Sequence, residues 1–552
     1  MLHRPGAALE ITLDDPSRAD AIARWRDAAR RMLDAVGWAD ERLAVRTYTG
    51  GASLALTAPP DALYAATDLN EWAWIAATSG DADFDAAADR LRSTITAERN
   101  PRLLALHGAA RDRGLTFLAD EDLVSVGSGN GALVWPAASL PSSEDVEWDR
   151  VHDVPIVLVT GSNGKTTVVR LLAEMAAASG RTAGLTSTDG VQVGDMTLDS
   201  GDYSGPGGAR MLLRHPGVEV AILETARGGL LRRGLEVTHA DAAVVTNIAD
   251  DHLGEFGIQS LEELAQAKLL VARAVTDGAV VLNADDAILR EAARKVTAPI
   301  AWFTLETGRP ELAAHARAGG SIAVLEQGKL VLVKGGKRTV VAAIEEAPMT
   351  LGGAARHNIA NALAAMAAAD AIGIPATAMK AALRRFGTGD AENTGRANVY
   401  QIGGVVVVID YAHNPHGMAA MASMCRALPA GRRLVLLGQA GDRTDEDIRE
   451  LARAAWTLHP DRVVIKEMDR YLRGRKAGEI PALLADEFSR LGAAGDAIAF
   501  PGSELDGVRH ALAWAQPGDL LLLAVHQDRP LVHALMDTLR TSEWQPGSPV
   551  PQ

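Results

Sequence analysis

A glycine-rich stretch between a predicted strand and a predicted helix constrains this chain most: residues 159–167 read VTGSNGKTT. The apolar run PIVLVTG leads into it, and the helical pattern KTTVVRLLAEMAAASG follows. Glycines let backbone N–H groups close on phosphate oxygens, the helix N-terminus adds a positive dipole end, and Lys165 adds a point charge. The stretch therefore predicts a phosphate-binding loop.

This loop is shorter than the common Walker pattern, in which a glycine stands five positions before Gly-Lys-Ser/Thr. Five positions before Gly164 stands Val159, and the nearest earlier glycine is Gly161. No Asn-Lys-x-Asp guanine signal is present in the sequence. The pattern therefore disfavours an ordinary P-loop kinase or GTPase.

The pattern of strands and helices predicts an α/β protein of three domains, since 552 residues exceed what one core holds. Residues 1–150 mix weak strands and Ala/Arg-rich helices, and predict a small α+β domain that ends in a Pro-punctuated linker. Residues 151–394 alternate apolar strands with helices, which is typical of a parallel sheet covered on both faces. Residues 395–552 repeat this alternation and predict a smaller Rossmann-like domain.

Charge and composition exclude several function classes. The formal net charge of −15 argues against general nucleic-acid binding, which needs clustered Lys and Arg. Because no apolar run approaches about 18 residues and no signal-peptide pattern opens the chain, we expect no membrane segment and a cytoplasmic location. The single cysteine, Cys425, rules out an intrachain disulfide and is expected to be a buried apolar residue.

Polar residues follow two further predicted strands. Glu224 ends the run VEVAILE, and Asp250, Asp251 and His252 follow DAAVVTNIA. Because carboxyl ends of parallel strands meet at one edge of a sheet, we expect Thr166, Glu224 and His252 near a phosphate-bound Mg²⁺.

Seven segments in order, TGSNGKTT, LETARGG, TNIADDHLG, AKLL, ARHNIANALAA, NTGRANV and DYAHNP, resemble the motifs of the Mur ligase superfamily of ATP-dependent amide-forming enzymes. The short phosphate loop is a mark of that family. Residues from about 150 to 530 resemble the ligase half of cyanophycin synthetases. The ATP-grasp body of those enzymes has no counterpart here, so we expect that this chain alone does not polymerise aspartate.

The resemblance implies a set of site residues. ATP and two Mg²⁺ ions are the implied cofactors, with Lys165, His252, Lys268 and Arg396 in catalysis. Lys268, which helical periodicity alone places on a solvated face, would ligate the second Mg²⁺ as a carbamate. The metal ligands would be Thr166, Glu224, His252 and Lys268. The nucleotide-binding residues would be Gly161, Ser162, Asn163, Gly164, Lys165, Thr166, Thr167, Asn361, Arg396, Asp410 and His413.

The predicted function is an ATP-dependent acid–amino-acid ligase that activates a carboxylate as an acyl phosphate. The resemblance implies an aspartyl or other carboxylate as acceptor and an amino acid such as arginine or lysine as amine. Acids in GDRTDEDIRE (Asp442, Asp445, Glu446 and Asp447) could hold a cationic amine or could simply favour a helix N-terminus. Alternatives are a cell-wall or folylpolyglutamate type of ligase on another scaffold, and a non-catalytic nucleotide-binding subunit. A homo-oligomer is compatible with the sequence.

Overall fold

The computed structural model describes residues 4–12, 15–80, 83–251, 253–387 and 396–551. The chain divides into two units. The first unit comprises Met1–Leu158, Thr182–Ala240 and Leu253–Ala274, and the second comprises Val159–Arg181, Asp241–His252 and Val275–Gln552. Within the described ranges, none of the helices has the length and apolar character needed to cross a membrane.

The first unit begins with a small antiparallel sheet of order β1-β3-β2 and four helices. These elements are β1 (Gly6–Thr12), α1 (Asp15–Ala35), β2 (Leu43–Tyr48), β3 (Gly51–Thr57), α2 (Leu63–Ser79), α3 (Phe84–Glu98) and α4 (Pro101–Asp112). Trp25, Leu54 and Leu69 are completely buried in one apolar core with this sheet. The indole of Trp25 donates to Asn70 Oδ1 at 2.9 Å, which satisfies its polar atom inside that core.

A second antiparallel sheet follows, formed by β4 (Phe117–Ala119), β5 (Leu123–Val126) and β6 (Leu133–Pro136). The backbone N–H of Asn130 donates to Val218 O at 2.8 Å. Gly129 has φ +58°, and a Cβ there would lie 2.4 Å from Val218 O. The composition of this stretch predicts a linker, yet its short apolar runs form strands that pack on the rest of the first unit.

The remaining strands of the first unit pair in the order β10-β9-β8-β11. Elements of this part of the chain are β7 (Ile156–Thr160), α5 (Lys165–Ala178), β8 (Ala183–Ser187), β9 (Gly190–Val193), β10 (Met196–Ser200), α6 (Pro206–Leu213), β11 (Val220–Glu224), α7 (Arg227–Arg233) and α8 (Leu261–Lys268). Strands β8 and β11 run parallel, whereas β9 and β10 form antiparallel hairpins. The first three residues of β7 belong to this unit, while its last two and all of α5 belong to the second.

The second unit carries strands in the order β12-β13-β14-β15-β16-β17. Its first elements are β12 (Ala242–Val245), β13 (Ala279–Asn283), α9 (Ala287–Ala292), β14 (Ile300–Thr304), α10 (Pro310–Arg317), β15 (Ser321–Glu326), β16 (Lys329–Lys334), β17 (Lys337–Ala343), α11 (Arg356–Ala371) and α12 (Ala376–Arg385). The strands from β12 to β15 are parallel, and those from β15 to β17 are antiparallel. Every residue of β12 is buried, as expected for a strand covered on both faces.

The C-terminal part of the second unit is a six-stranded sheet of order β18-β19-β23-β20-β21-β22. Its elements are β18 (Asn398–Ile402), β19 (Val405–Asp410), α13 (Pro415–Ala427), β20 (Arg433–Leu437), α14 (Asp445–Trp456), β21 (Arg462–Lys466), α15 (Glu479–Arg490), β22 (Ile498–Gly502), α16 (Glu504–Trp514), β23 (Leu520–Ala524) and α17 (Arg529–Thr541). All strands except β18 run parallel, so their carboxyl ends meet at one edge. Cys425 is buried, and burial raises the pKa of its thiol, which makes it unreactive.

The predicted fold class is confirmed: parallel α/β sheets form the central and C-terminal parts, and a small α+β part precedes them. The domain boundaries near residues 150 and 394 remain predictions. Helix α8 ends at Lys268, and the residues that follow it, Leu269–Ala274, form a 3₁₀ helix.

Candidate functional site

The phosphate loop turns on two glycines that have no room for a side chain. Gly164 has φ +86°, and a Cβ there would lie 2.2 Å from Asn361 Oδ1. Gly161 has φ +145°, and its Cβ would lie 1.8 Å from Thr246 Oγ1. Only glycine accepts both the backbone conformation and the approach. The structure therefore places Asn361, one of the predicted nucleotide-binding residues, directly against the loop.

The end of β12 fixes the middle of the loop. Ser162 N–H donates to Asn247 O at 3.0 Å, and Asn163 N–H donates to Asn247 Oδ1 at 3.0 Å. Thr246 Oγ1 donates to Asn163 O at 2.6 Å, and Ser162 Oγ donates to Ala249 O at 2.9 Å. The backbone N–H groups of Ser162 and Asn163 are thus already hydrogen-bonded. We therefore expect a phosphate to bind the backbone N–H groups that come after them, at the start of α5.

Lys165 is the first residue of α5, and its ammonium folds back over the loop. Its Nζ donates to Gly161 O at 3.2 Å and to Ser162 O at 3.3 Å. The two following residues, Thr166 and Thr167, are buried at the same helix end. A cation and a helix N-terminus together favour an anion at this point.

Arg396, which precedes β18, lies next to the loop within the second unit. Arg396 Nη2 donates to Thr166 Oγ1 at 3.4 Å. The guanidinium of Arg396 lies 4.9 Å from the centre of the Tyr411 ring, and that of Arg529 lies 5.1 Å from it. Two cations therefore share one aromatic ring beside the predicted phosphate site.

Asp410, the last residue of β19, accepts a hydrogen bond from Ala397 N–H at 2.7 Å. Desolvation raises the pKa of Asp410 to about 6, from its usual 3.8, although Arg396 and the Ala397 N–H act in the opposite direction. Ionising the Asp410 carboxyl group therefore costs free energy unless a further cation binds beside it.

An amide pair missed by the sequence prediction joins the loop to α13. Asn163 Nδ2 donates to Asn414 Oδ1 at 3.3 Å, and Asn414 Nδ2 donates to Asn163 Oδ1 at 3.1 Å. His416 Nδ1 lies 2.9 Å from the same Asn163 Nδ2 and accepts from it. A signal was available, because Asn-Pro favours a helix start: Asn414 caps α13 by accepting from Gly417 N–H at 2.8 Å.

His413 lies near an ion pair at the same sheet edge. Asp251 Oδ1 lies 3.3 Å from Arg443 Nη2 and 3.8 Å from His413 Nε2. Desolvation lowers the pKa of His413 to about 4, although Asp251 acts against this shift. Desolvation and the charges of Asp447 and Asp251 raise the pKa of Asp250. Because its pKa is about 4, the imidazole of His413 is neutral near pH 7.

Two further predicted metal ligands, Glu224 and Lys268, are buried at the ends of a strand and a helix. Glu224 ends β11 and is 2% exposed, and Lys268 ends α8 and is 5% exposed; both belong to the first unit, whereas Thr166 belongs to the second. His252 lies outside the described residues. Among the residues that the structure describes, no group of three or more His, Cys, Asp or Glu side chains is arranged to hold a metal ion. Their meeting at Mg²⁺ stays a prediction.

The four acids near the start of α14 all have partners in the described part of the chain. Asp442 pairs with Arg473, Asp445 with Arg475 at 2.8 Å, and Glu446 with Arg453 at 2.6 Å. The Asp447 carboxylate accepts from the Thr444 N–H at 3.0 Å, and the Asp447 N–H donates to Thr444 Oγ1 at 3.1 Å, which forms a capping box. Three of these acids thus pair with arginines and Asp447 caps the helix, so a cationic amine would have to displace internal partners.

A buried charged cluster, which local sequence patterns did not predict, lies beside the residues that follow β19. Lys466 and Glu504 form an ion pair with both side chains 0% exposed. Lys466 Nζ also donates to His526 Nδ1 at 3.0 Å, so Nε2 carries the imidazole proton and donates to Ala412 O at 3.2 Å. Burial and Lys466 lower the pKa of His526 well below its usual value.

Two family models match this chain: the Mur ligase middle domain over residues 159–369 and the Mur ligase glutamate ligase domain over residues 395–525. The first contains the phosphate loop and the second contains Arg396 and the Tyr411 segment, so together they describe a nucleotide-binding ligase fold. They match more than half of the chain, which therefore belongs to the Mur ligase superfamily.

Cyanophycin synthetase of Trichormus variabilis is 42% identical over 332 residues, which are 60% of this chain and 37% of that protein. UDP-N-acetylmuramoylalanine–D-glutamate ligase of Sodalis glossinidius is 35% identical over 45% of this chain and 48% of that protein. The chain thus spans less than half the length of these curated relatives.

Solved structures show the same fold. E. coli FolC in complex with DHPP and ADP has a TM-score of 0.54 at 22% identity, over 70% of this chain and 89% of that one. A bifunctional folylpolyglutamate synthase/dihydrofolate synthase with Mn, AMPPNP and L-glutamate bound has a TM-score of 0.53 at 19% identity. The match covers 69% of this chain and 89% of that one.

We predict that Lys466→Met lowers the free energy of unfolding by about 3–5 kcal/mol, because it leaves Glu504 charged and buried without its cation. Urea denaturation at neutral pH measures this. The matched control is Arg294→Met, which removes an exposed cation that is paired with Glu291 at 3.1 Å and should change stability little. Equal effects of the two substitutions would contradict the prediction.

A second prediction concerns pH. Because the pKa of Asp410 is about 6 when folded and near 3.8 otherwise, its stabilising contribution is complete below pH 3.8 and is lost as pH rises through about 6. In nucleotide-free protein, Asp410→Asn should therefore gain stability relative to the wild type as pH rises from about 4 to about 6, and the difference should level off above that range. Urea denaturation across this range measures the difference; a difference independent of pH would refute the assignment.

Proposed function

We propose that this chain is an ATP-dependent amide ligase that joins a carboxylate to the amine of an amino acid. One observation carries the proposal: Arg396, which stands next to the C-terminal sheet, donates to Thr166 at the end of a short phosphate loop. Phosphoryl transfer needs cations on several sides of the phosphate chain. Lys165 and Arg396 provide two of them from separate segments, and membership of the Mur ligase superfamily supports the same chemistry.

The reaction must make a carboxylate reactive, because a carboxylate is a poor electrophile in water. Transfer of the γ-phosphoryl group of ATP to one carboxylate oxygen forms an acyl phosphate and releases ADP. The amine then attacks the acyl carbon, loses a proton, and expels inorganic phosphate with the amide left behind. Lys165 would neutralise charge on the transferring group, and Arg396 would orient it.

Magnesium is the metal that we propose to accompany ATP, and its residues would be Thr166, Glu224, His252 and Lys268. The oxygen donors of the set, the Thr166 hydroxyl and the Glu224 carboxylate, are of the kind that Mg²⁺ prefers, and Glu224 is buried at a strand end. When bound, Mg²⁺ would supply charge neutralisation for the phosphates. Lys268 would contribute as a carbamate, because a neutral amine plus CO₂ gives an anionic oxygen whereas an ammonium would repel the cation.

The substrates that we propose are an aspartyl carboxylate and an amino acid with a cationic side chain, arginine or lysine. Similarity to cyanophycin synthetase over 332 residues supports this choice. The partnered acids of α14 do not by themselves provide the cation site, so the amine would be recognised elsewhere or by displacement of those partners.

Loss of the loop cation is the direct test of the nucleotide site. We predict that Lys165→Ala lowers kcat by on the order of 10² or more, because a preorganised charge facing the transferring phosphoryl group is lost. Phosphate release measures turnover, and Lys337→Ala, which removes an exposed lysine at the start of β17, is the matched control. Near-normal turnover of Lys165→Ala would contradict the assignment.

A product screen tests the substrate class. Wild-type protein, ATP and Mg²⁺ are incubated with short aspartyl peptides and each of the twenty amino acids, and products are read by mass spectrometry. We expect a mass increase equal to one amino acid less water with arginine or lysine. Products formed only with glutamate, or only with cell-wall or folate precursors, would replace the proposed substrates, and absence of any ATP-dependent product would contradict the ligase activity.

A further inference from the structure

The N-terminal sheet holds the loop that leads into α8, here called the 253–258 loop. Arg46 Nη2, on β2, donates to Phe256 O at 2.7 Å. Gly257 has φ +70° and lies against the Tyr48 ring, so that a Cβ there would be 2.1 Å from Tyr48 Cγ. Arg46 and Tyr48 therefore hold two consecutive residues of the loop, one by a hydrogen bond and one by direct packing.

Tyr48 is itself fixed in the N-terminal sheet. Its hydroxyl donates to Glu10 Oε2 at 2.7 Å, and its backbone carbonyl accepts from the Arg18 guanidinium. Burial and the neighbouring Glu10 raise the pKa of Tyr48 to about 12, so the phenol stays neutral and keeps donating. The guanidinium of Arg46 lies 5.1 Å from the centre of the same ring. The surface that contacts the loop is therefore rigid.

The opposite side of the loop is held by α7. Glu255 pairs with Arg227 at 2.7 Å, and Arg227 is 8% exposed. The Phe256 ring lies 5.8 Å from the guanidinium of Arg227 and 5.3 Å from that of Arg232. Phe256 has φ +52°, a left-handed conformation that a non-glycine residue keeps only when its surroundings impose it. The N-terminal sheet and α7 together impose it here.

The position of the loop in the sequence links it to the proposed reaction. It begins directly after His252 and ends two residues before Ser260, whose side chain caps α8 by accepting from Glu263 N–H at 3.2 Å. Lys268 is the last residue of that helix. The loop therefore leads directly into the cap of the helix that carries Lys268 at its other end.

We propose that Arg46 and Tyr48 are positioning residues of the ligase, so that the N-terminal sheet sets the loop on which the reaction depends. This inference rests on the proposed function. It assigns the N-terminal part of the chain a role in turnover, although neither residue contacts the reacting groups. Substituting them should slow the chemical step and leave ATP binding nearly unchanged.

The first measurement needs no substrate. Hydrogen–deuterium exchange of peptides covering the 253–258 loop should rise in Arg46→Ala and stay near the wild-type level in Arg46→Lys, since a lysine ammonium can also donate to Phe256 O. The matched control is Arg42→Ala, an exposed arginine just before β2 whose side chain forms no hydrogen bond or ion pair with the described residues. Unchanged exchange in Arg46→Ala would overturn the proposal.

The second measurement separates positioning from simple loss of structure. Arg46→Ala should lower kcat about tenfold or more with KM for ATP within about twofold, because misplacement of a distant support acts on the chemical step. Arg46→Lys should recover most of kcat. A looser loop with full kcat in Arg46→Ala would overturn the positioning role, whereas a wild-type protein that forms no amide would instead refute the proposed function.

Discussion

Close approach of backbone to side chains at Gly161 and Gly164 is the constraint on which the rest of the site depends. With Thr246 on one side and Asn361 on the other, a methyl group at either glycine would collide with a polar atom. The turn can therefore bring Lys165 and the start of α5 together only with glycine at both places. Glycine at both positions is thus a requirement of this packing.

The C-terminal sheet completes the site because parallel strands bring their carboxyl ends to one edge. Asp410 ends β19, and the next residues carry Tyr411 and His413. The buried ion pair of Lys466 and Glu504 lies behind this edge. Lys466 also donates to His526, whose ring lies 5.0 Å from the Tyr411 ring. Charged groups in the interior are costly unless paired, so this ion pair connects the stability of the C-terminal sheet with the position of Tyr411.

Local sequence patterns predicted what depends on local physics, namely the β7–loop–α5 unit, the buried strands and the helix start at α14. Contacts between distant segments were not predictable. The pairing of Asn163 with Asn414 joins residues 251 positions apart, and Lys466 looked like an ordinary strand end. The role of Lys268 came only from family resemblance, because helical periodicity alone places it on a solvated face, whereas the structure buries it.

Oxygen transfer from acid to phosphate tests the central claim most directly. A carboxylate substrate labelled with ¹⁸O in both oxygens is ligated to its amine, and the released inorganic phosphate is analysed by mass spectrometry. If the carboxylate attacks the γ-phosphorus, one labelled oxygen leaves with each phosphate, because the bond broken by the amine joins that oxygen to the acyl carbon. Amide formed together with unlabelled phosphate would contradict activation through an acyl phosphate.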